Sequence, residues 1–268
     1  ARAIALGADA VETDVCRTRD GRFLLWHDAD PDEKVALLRQ AGAESLKYRP
    51  DVPRLGSPWR RPVREIDLAE FAPRYGYVLS DPDAATVAER AAGRRPVQTL
   101  EDLTDWAEDE PRVRRVFLDV KLSEGDGPAA RDLLRRVQEL AERATLSHVV
   151  FHVLNREREI LSVLAEERRR GGPRDSVRLS ADFELPGVLD QAPQLGTDDV
   201  SMGCGERTWA GYRRELCRVV GERNRTGFPS YVVAWTVNDE RRLRDLVRIG
   251  VDGVMTDSIA ALRRLVSP

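Results

Sequence analysis

Two carboxylates spaced two residues apart are the first residues here that could do chemistry. In Ala10-Val-Glu12-Thr-Asp14-Val15, the period-two geometry of an extended strand sets Glu12 and Asp14 on one face and Val11, Thr13 and Val15 on the other. Facing inward, the two carboxylates repel each other and lose hydration, and a bound cation relieves both costs. Facing outward, they are an ordinary acidic surface, and this strand alone leaves both readings open. A second pair, Asp119 and Lys121, shares one face of the apolar run Val116-Phe-Leu-Asp119-Val-Lys121. Taken alone it is either a structural ion pair or part of a site. Carboxylates at the ends of two different strands are what a barrel needs to build one oxygen-ligand site at its C-terminal mouth. Hard oxygen donors suit Mg²⁺ or Ca²⁺ rather than zinc, and Lys121 could neutralise a phosphate as a point charge.

The turn sequence Thr18-Arg-Asp20-Gly21 leads into Phe23-Leu-Leu-Trp-His27-Asp28. Folding back at Asp20-Gly21, or returning in parallel, would bring His27 to the rim that carries Glu12. A lone histidine after an apolar run is usually structural. Beside a metal and a phosphate it would be placed to move a proton to a leaving alkoxide. His148 and His152 lack such company and read as structural, with His152 the outside candidate because it ends a strand.

The elements that must position these residues alternate in type. Strands are predicted over Ala10–Val15, Phe23–His27, Val116–Lys121, His148–Val153, Val177–Ala181, Asp199–Met202, Tyr231–Val237 and Gly253–Thr256, with helices over 129–143, 155–170, 208–225, 238–249 and 258–266. Short β-branched runs alternating with helices indicate parallel βαβ units, and this many indicate an α/β fold of the TIM (β/α)8 barrel type. Ala1–Gly7 reads as the last turns of a helix stopped by a glycine. Counting a strand before that helix gives nine candidates, so one is not a barrel stave, and Asp199–Met202 is the suspect. Residues 28–111 are too long for a simple βα loop and read as an insertion over one rim of a single domain spanning 1–268. Within it, helices start near Ile66 and at Thr99, where Asp102 completes a capping-box-like start.

The 268 residues are 41% hydrophobic and 33% charged, the balance of a globular chain that can bury a core. A net charge of −3 offers no field for gathering nucleic acid, and no stretch reaches the length of a transmembrane segment. Cys16, Cys204 and Cys217 lack metal-finger spacing and read as ordinary thiols. The only lysines are Lys34, Lys47 and Lys121, which makes the one inside an apolar strand conspicuous.

Together, Gly7-Ala-Asp-Ala-Val-Glu12-Thr-Asp14, Thr18-Arg-Asp20-Gly21, His27-Asp28 and Leu118-Asp119-Val-Lys121 resemble the glycerophosphodiester phosphodiesterase family. Pro96-Val-Gln-Thr-Leu-Glu101, Ala234-Trp235-Thr-Val-Asn238 and Gly250-Val-Asp-Gly-Val-Met-Thr-Asp257 extend the resemblance to residue 260 or so. It implies metal-dependent hydrolysis of a small glycerophosphodiester to an alcohol and sn-glycerol 3-phosphate. Glu12, Asp14 and Asp119 would hold the metal, His27 would be one of two acid/base histidines, Lys121 would contact phosphate, and Trp235 would line the pocket or simply pack in the core. Asp119 stands where the family usually has Glu, so the metal would sit closer to that strand or be reached through water. The related sphingomyelinase D toxins use Asp there, which leaves a lysophospholipase D or sphingomyelinase D-like activity as an alternative. The family's His-Arg-Gly and Pro-Glu-Asn motifs and its first strand would lie upstream of Ala1. That leaves a barrel that binds phosphate or a partner without turnover as a further alternative, and an unpaired edge is expected between the Glu12 strand and the Gly253–Thr256 strand.

Overall fold

The computed structural model describes residues 2–43, 47–81, 87, 90, 93–171, 175–183, 188–204 and 208–266. It divides into two compact units, one of Ala1–Glu12 with Trp106–Pro268 and one of Thr13–Asp105. The division falls inside a single strand, so Glu12 and Asp14 ride on the same stretch of backbone although they are counted in different units.

The chain begins with a short helix α1 (Arg2–Ala5) that ends at Gly7, whose φ of +96° is a conformation that favours glycine. Strand β1 (Ala10–Arg17) then turns at Thr18–Arg22 into β2 (Phe23–Leu25), pairing antiparallel with Val15 opposite Leu25 and Arg17 opposite Phe23. The turn is closed by the Thr18 hydroxyl, which donates to Asp20 Oδ1 (2.6 Å) and accepts from the Arg22 amide (2.9 Å), with Gly21 at φ +81°. Helix α2 (Lys34–Gln40) follows, then an antiparallel sheet of β3 (Tyr48–Asp51), β4 (Gly76–Leu79) and β5 (Arg95–Pro96), with helix α3 (Leu68–Phe71) ahead of β4. This unit has its own core, where Trp26, Phe71 and Tyr75 pack with Cys16, Leu24, Val63 and Ile66. Helix α4 (Leu100–Glu108) starts as predicted: the Thr99 amide donates to Asp102 Oδ2 (2.8 Å) and the Asp102 amide to Thr99 Oγ1 (3.2 Å).

The rest of the chain is a regular βα succession. Strands β6 (Arg115–Val120), β7 (Val150–Asn155), β8 (Val177–Phe183), β9 (Asp199–Gly203), β10 (Val232–Trp235) and β11 (Gly253–Val254) alternate with helices α5 (Gly127–Ala141), α6 (Arg158–Gly171), α7 (Val188–Gln194), α8 (Trp209–Thr226), α9 (Glu240–Ile249) and α10 (Ile259–Val266). Each strand pairs in parallel with the one before it, in the order β11-β10-β9-β8-β7-β6, and β1 lies beside β6. This is the parallel winding of a (β/α)8-type barrel, as expected. One expectation needs correction. The strand outside the parallel set is Phe23–Leu25, not Asp199–Met202, which lies in a strand that pairs in parallel on both sides. The turn between Arg17 and Phe23 is far too short for a parallel crossover, which needs about a dozen residues. β2 pairs with β1 over Val15–Arg17, and among the described residues neither strand pairs with β11.

Strand alternation sorts side chains into two cores. Val200, Met202, Val232 and Ala234 pack with Tyr212, Leu216, Leu243 and Leu246 from the helices. Phe117, Leu154 and Val233 form a second cluster with Ala10, Tyr231 and Met255. Stacked on the Phe117 ring (centroids 4.4 Å apart), buried His152 sets its Nδ1 3.0 Å from Asp199 Oδ2, and Arg178 bonds both oxygens of Asp199 (2.7 and 2.6 Å). Asp199 therefore belongs to the interior network, and its polar strand is a stave for that reason. Burial holds the His152 pKa below its ordinary value despite the attraction of Asp199. A base whose folded pKa is depressed binds its proton more readily when unfolded, so its contribution is complete above about pH 6.5 and is lost as pH falls towards the folded pKa. Urea titrations of the native chain and His152→Phe at pH 7.5 and 5.0 are expected to show the native chain losing more stability on acidification.

Candidate active site

Asp119 lies at the fifth position of β6, paired in register with Leu154, and Lys121 follows the last residue of the strand. Alternation turns Val116, Leu118 and Val120 away into the helix-facing core, where all three are buried. This leaves Phe117, Asp119 and Lys121 on the opposite face. Lys121 Nζ bonds Asp119 Oδ2 at 2.6 Å, with both side chains about one-fifth to one-quarter exposed. On β1, Glu12 is exposed and Asp14 half-buried. One carboxylate oxygen from each of Glu12, Asp14 and Asp119 lies within 4.8 Å of the others. Three hard oxygen donors from two strands, partly accessible to water, fit a divalent cation that keeps some of its own water.

His27 belongs to the unit of Thr13–Asp105 and is fixed there by its own contacts. The Trp26 amide donates to the Asp14 carbonyl (3.1 Å), which brings His27 next along the chain from that pairing. Its Nδ1 lies 2.7 Å from Oδ1 of Asp28, which is itself buried and 3.3 Å from Arg39 Nε. A carboxylate only accepts, so this contact places the proton on Nδ1 and leaves Nε2 as the basic nitrogen. The Trp26 indole N–H donates to the Asp28 carbonyl (3.0 Å), tying the histidine's partner to the aromatic core. The Asp28–Arg39 support was not read from the sequence; its only signal was the acidic residue next to His27.

Asp182 was missed altogether. Arg178, Ser180 and Asp182 form an alternating polar face on β8, which was the available signal. Asp182 is buried, pairs in register with Ser201, and accepts a hydrogen bond from Trp235 Nε1 at 2.9 Å. Its pKa is pushed up to about 6, first by burial and then by the negative charge of Asp119. Trp235, the last residue of β10, is half-buried and stands opposite Gly203. The structure thus gathers Glu12, Asp14, Asp119 and Lys121, and sets Asp182 and Trp235 together among strands of the same parallel array.

A parallel βα array with carboxylates and a lysine towards the C-terminal ends of its strands is the architecture of a barrel enzyme with an oxygen-ligand centre. A model of the Glycerophosphoryl diester phosphodiesterase family matches residues 1–152, more than half of the 268, and the chain belongs to that family. The chain is 24% identical over 259 residues to glycerophosphodiester phosphodiesterase GDPD4 of Arabidopsis thaliana; the match takes in 95% of this chain but only 63% of that relative's length. Its fold is shared with a glycerophosphodiester phosphodiesterase from Parabacteroides distasonis (TM-score 0.65, 17% identity, 98% of this chain and 86% of that one). An Oleispira antarctica phosphodiesterase solved in complex with the product sn-glycerol-3-phosphate shares it as well (TM-score 0.64, 15% identity, 98% and 86%).

The coupling of Asp182 to Asp119 has a direct test in chelator-treated protein. Carbon-detected NMR of the Asp182 carboxyl is expected to show a midpoint near pH 6, the result of burial and the like charge of Asp119. Asp119→Asn removes that like charge and should move the midpoint down, while burial keeps it above the ordinary aspartate range.

Proposed function

We propose that the chain hydrolyses glycerophosphodiesters to an alcohol and sn-glycerol 3-phosphate, as a metal-dependent enzyme using Mg²⁺ or Ca²⁺. The carrying observation is the convergence of Glu12, Asp14 and Asp119 within 4.8 Å on a chain of this family. Glu12, Asp14 and Asp119 would hold the cation, which when bound supplies positive charge opposite the phosphoryl oxygens. Lys121, anchored by Asp119, adds a second positive charge for a non-bridging oxygen. His27 would be one of two acid/base groups: Asp28 holds Nδ1, and Nε2 takes up a proton from the attacking water and returns it to the alkoxide that leaves as the P–O bond breaks. Trp235 contributes an apolar wall for the organic part of a small-molecule substrate. The net change adds the elements of water across one P–O ester bond.

The test is release of glycerol 3-phosphate from glycerophosphocholine with Mg²⁺ or Ca²⁺. Asp14→Asn keeps shape and hydrogen-bonding capacity but removes a ligand charge, so turnover is expected to fall by about a hundredfold or more. Its metal-free melting temperature should not drop, because the substitution also relieves repulsion against Glu12 and Asp119. His27→Asn should lower turnover by about 10²–10⁴ with divalent-metal binding retained. Unchanged turnover in Asp14→Asn would make the acidic cluster a structural feature and remove the basis of this reading.

A further inference from the structure

Trp235 ends its strand half-buried, and two neighbours define where its indole lies. On β8, the Asp182 carboxylate accepts the indole N–H at 2.9 Å from a position that is 5% exposed. On β9, Gly203 stands opposite Trp235 in register, and a Cβ there would meet the ring atoms Cη2 and Cζ2 at 2.6 Å. No carbon approaches that closely, so any side chain at 203 must push the ring aside. The indole is therefore pinned at its polar edge by a buried acceptor, and its benzenoid end is admitted against β9 only because residue 203 is glycine.

The acceptor is a costly one. An indole N–H can be satisfied by a neutral amide oxygen or by water, whereas a carboxylate buried near Asp119 is raised in pKa by burial and by that neighbour's charge. A charged acceptor gives a shorter and stronger bond, which holds a large flat side chain in one orientation. Pre-organised walls lower the ordering cost of binding, since the ring does not have to be immobilised when ligand arrives.

We infer that Asp182 and Gly203 are positioning residues which fix the Trp235 indole as a rigid wall for the glycerol portion of the ligand. The inference rests on the proposed glycerophosphodiester reading and deepens it by saying what sets the pocket's shape. Neither residue touches the reacting atoms. Each acts through Trp235.

The experiment measures sn-glycerol 3-phosphate binding by calorimetry with Mg²⁺ present, together with glycerol 3-phosphate release from glycerophosphocholine. Asp182→Asn and Asp182→Leu both remove the negative charge, so any relief of repulsion towards an anionic ligand is common to the two, and only Asn keeps an oxygen for the indole. The Leu variant is expected to bind about tenfold more weakly than the Asn variant, the scale of one lost hydrogen bond. With Trp235→Phe in the background, Asn and Leu should bind alike. Gly203→Ala should weaken binding by about the same factor without touching Asp182, and its tryptophan emission should shift from that of the native chain as the ring is displaced. Equal binding by the Asn and Leu variants, or a gap between them that survives Trp235→Phe, would overturn the inference, as would a native chain that does not bind glycerol 3-phosphate. A native chain that binds glycerol 3-phosphate but releases none from the diester would instead overturn the proposed reaction, leaving the binding comparison to judge the wall.

Discussion

Three carboxylate side chains, each offering an oxygen within 4.8 Å of the others, repel one another, and much of the surrounding architecture answers to that repulsion. Exposure of Glu12 to water lowers the cost on one side, and the Lys121 ammonium at 2.6 Å from Asp119 lowers it on the other. Both act on the same three acids from opposite sides. The local field reaches Asp182, whose pKa is pushed up to about 6 by burial and by Asp119. Carboxylate oxygens gathered this closely on neighbouring strands suit the capture of a cation.

The strands meet this constraint by pairing the charges they bury. His152, Arg178 and Asp199 satisfy one another, and Phe117, Leu154 and Val233 pack in an apolar cluster beside them. Asp119 pairs in register with Leu154 and Asp182 with Ser201, so both acids sit on strands already fixed by that packing. In the His152 network the charges are paired and hydrogen-bonded, which is the condition under which buried ions are tolerated. The spacing of the acidic groups is thus set by backbone register rather than by flexible side chains.

The histidine arm obeys a different logic. His27 lies just beyond a hairpin strand, where the backbone has left the sheet, and its orientation comes from Asp28, Arg39 and the Trp26 indole in sequence. Trp26 is itself packed edge-on to Phe71 and Tyr75, so a histidine in a loop is referred back to an aromatic core. Within the unit of Thr13–Asp105, Arg39 on α2 is thus brought to Asp28, eleven residues earlier, by local folding.

Much of the site was readable in the sequence because its cues are local. Two-residue spacing in Glu12/Asp14 and Asp119/Lys121 specifies a shared strand face whatever the rest of the chain does, and Asp20-Gly21 specifies a turn. The Thr99–Asp102 start of α4 and the glycine stop after α1 were legible for the same reason. Which strands pair was not local. Asp199–Met202, the suspected extra strand, is a stave whose aspartate is received by Arg178 and His152 from two other strands. Asp182 was invisible as a functional group because its significance depends on Trp235, 53 residues away, and on the charge of Asp119. Sequence determines which side chains share a face, since that follows from the backbone repeat; tertiary structure decides which faces meet, since that depends on strand order and on burial set by distant parts of the chain.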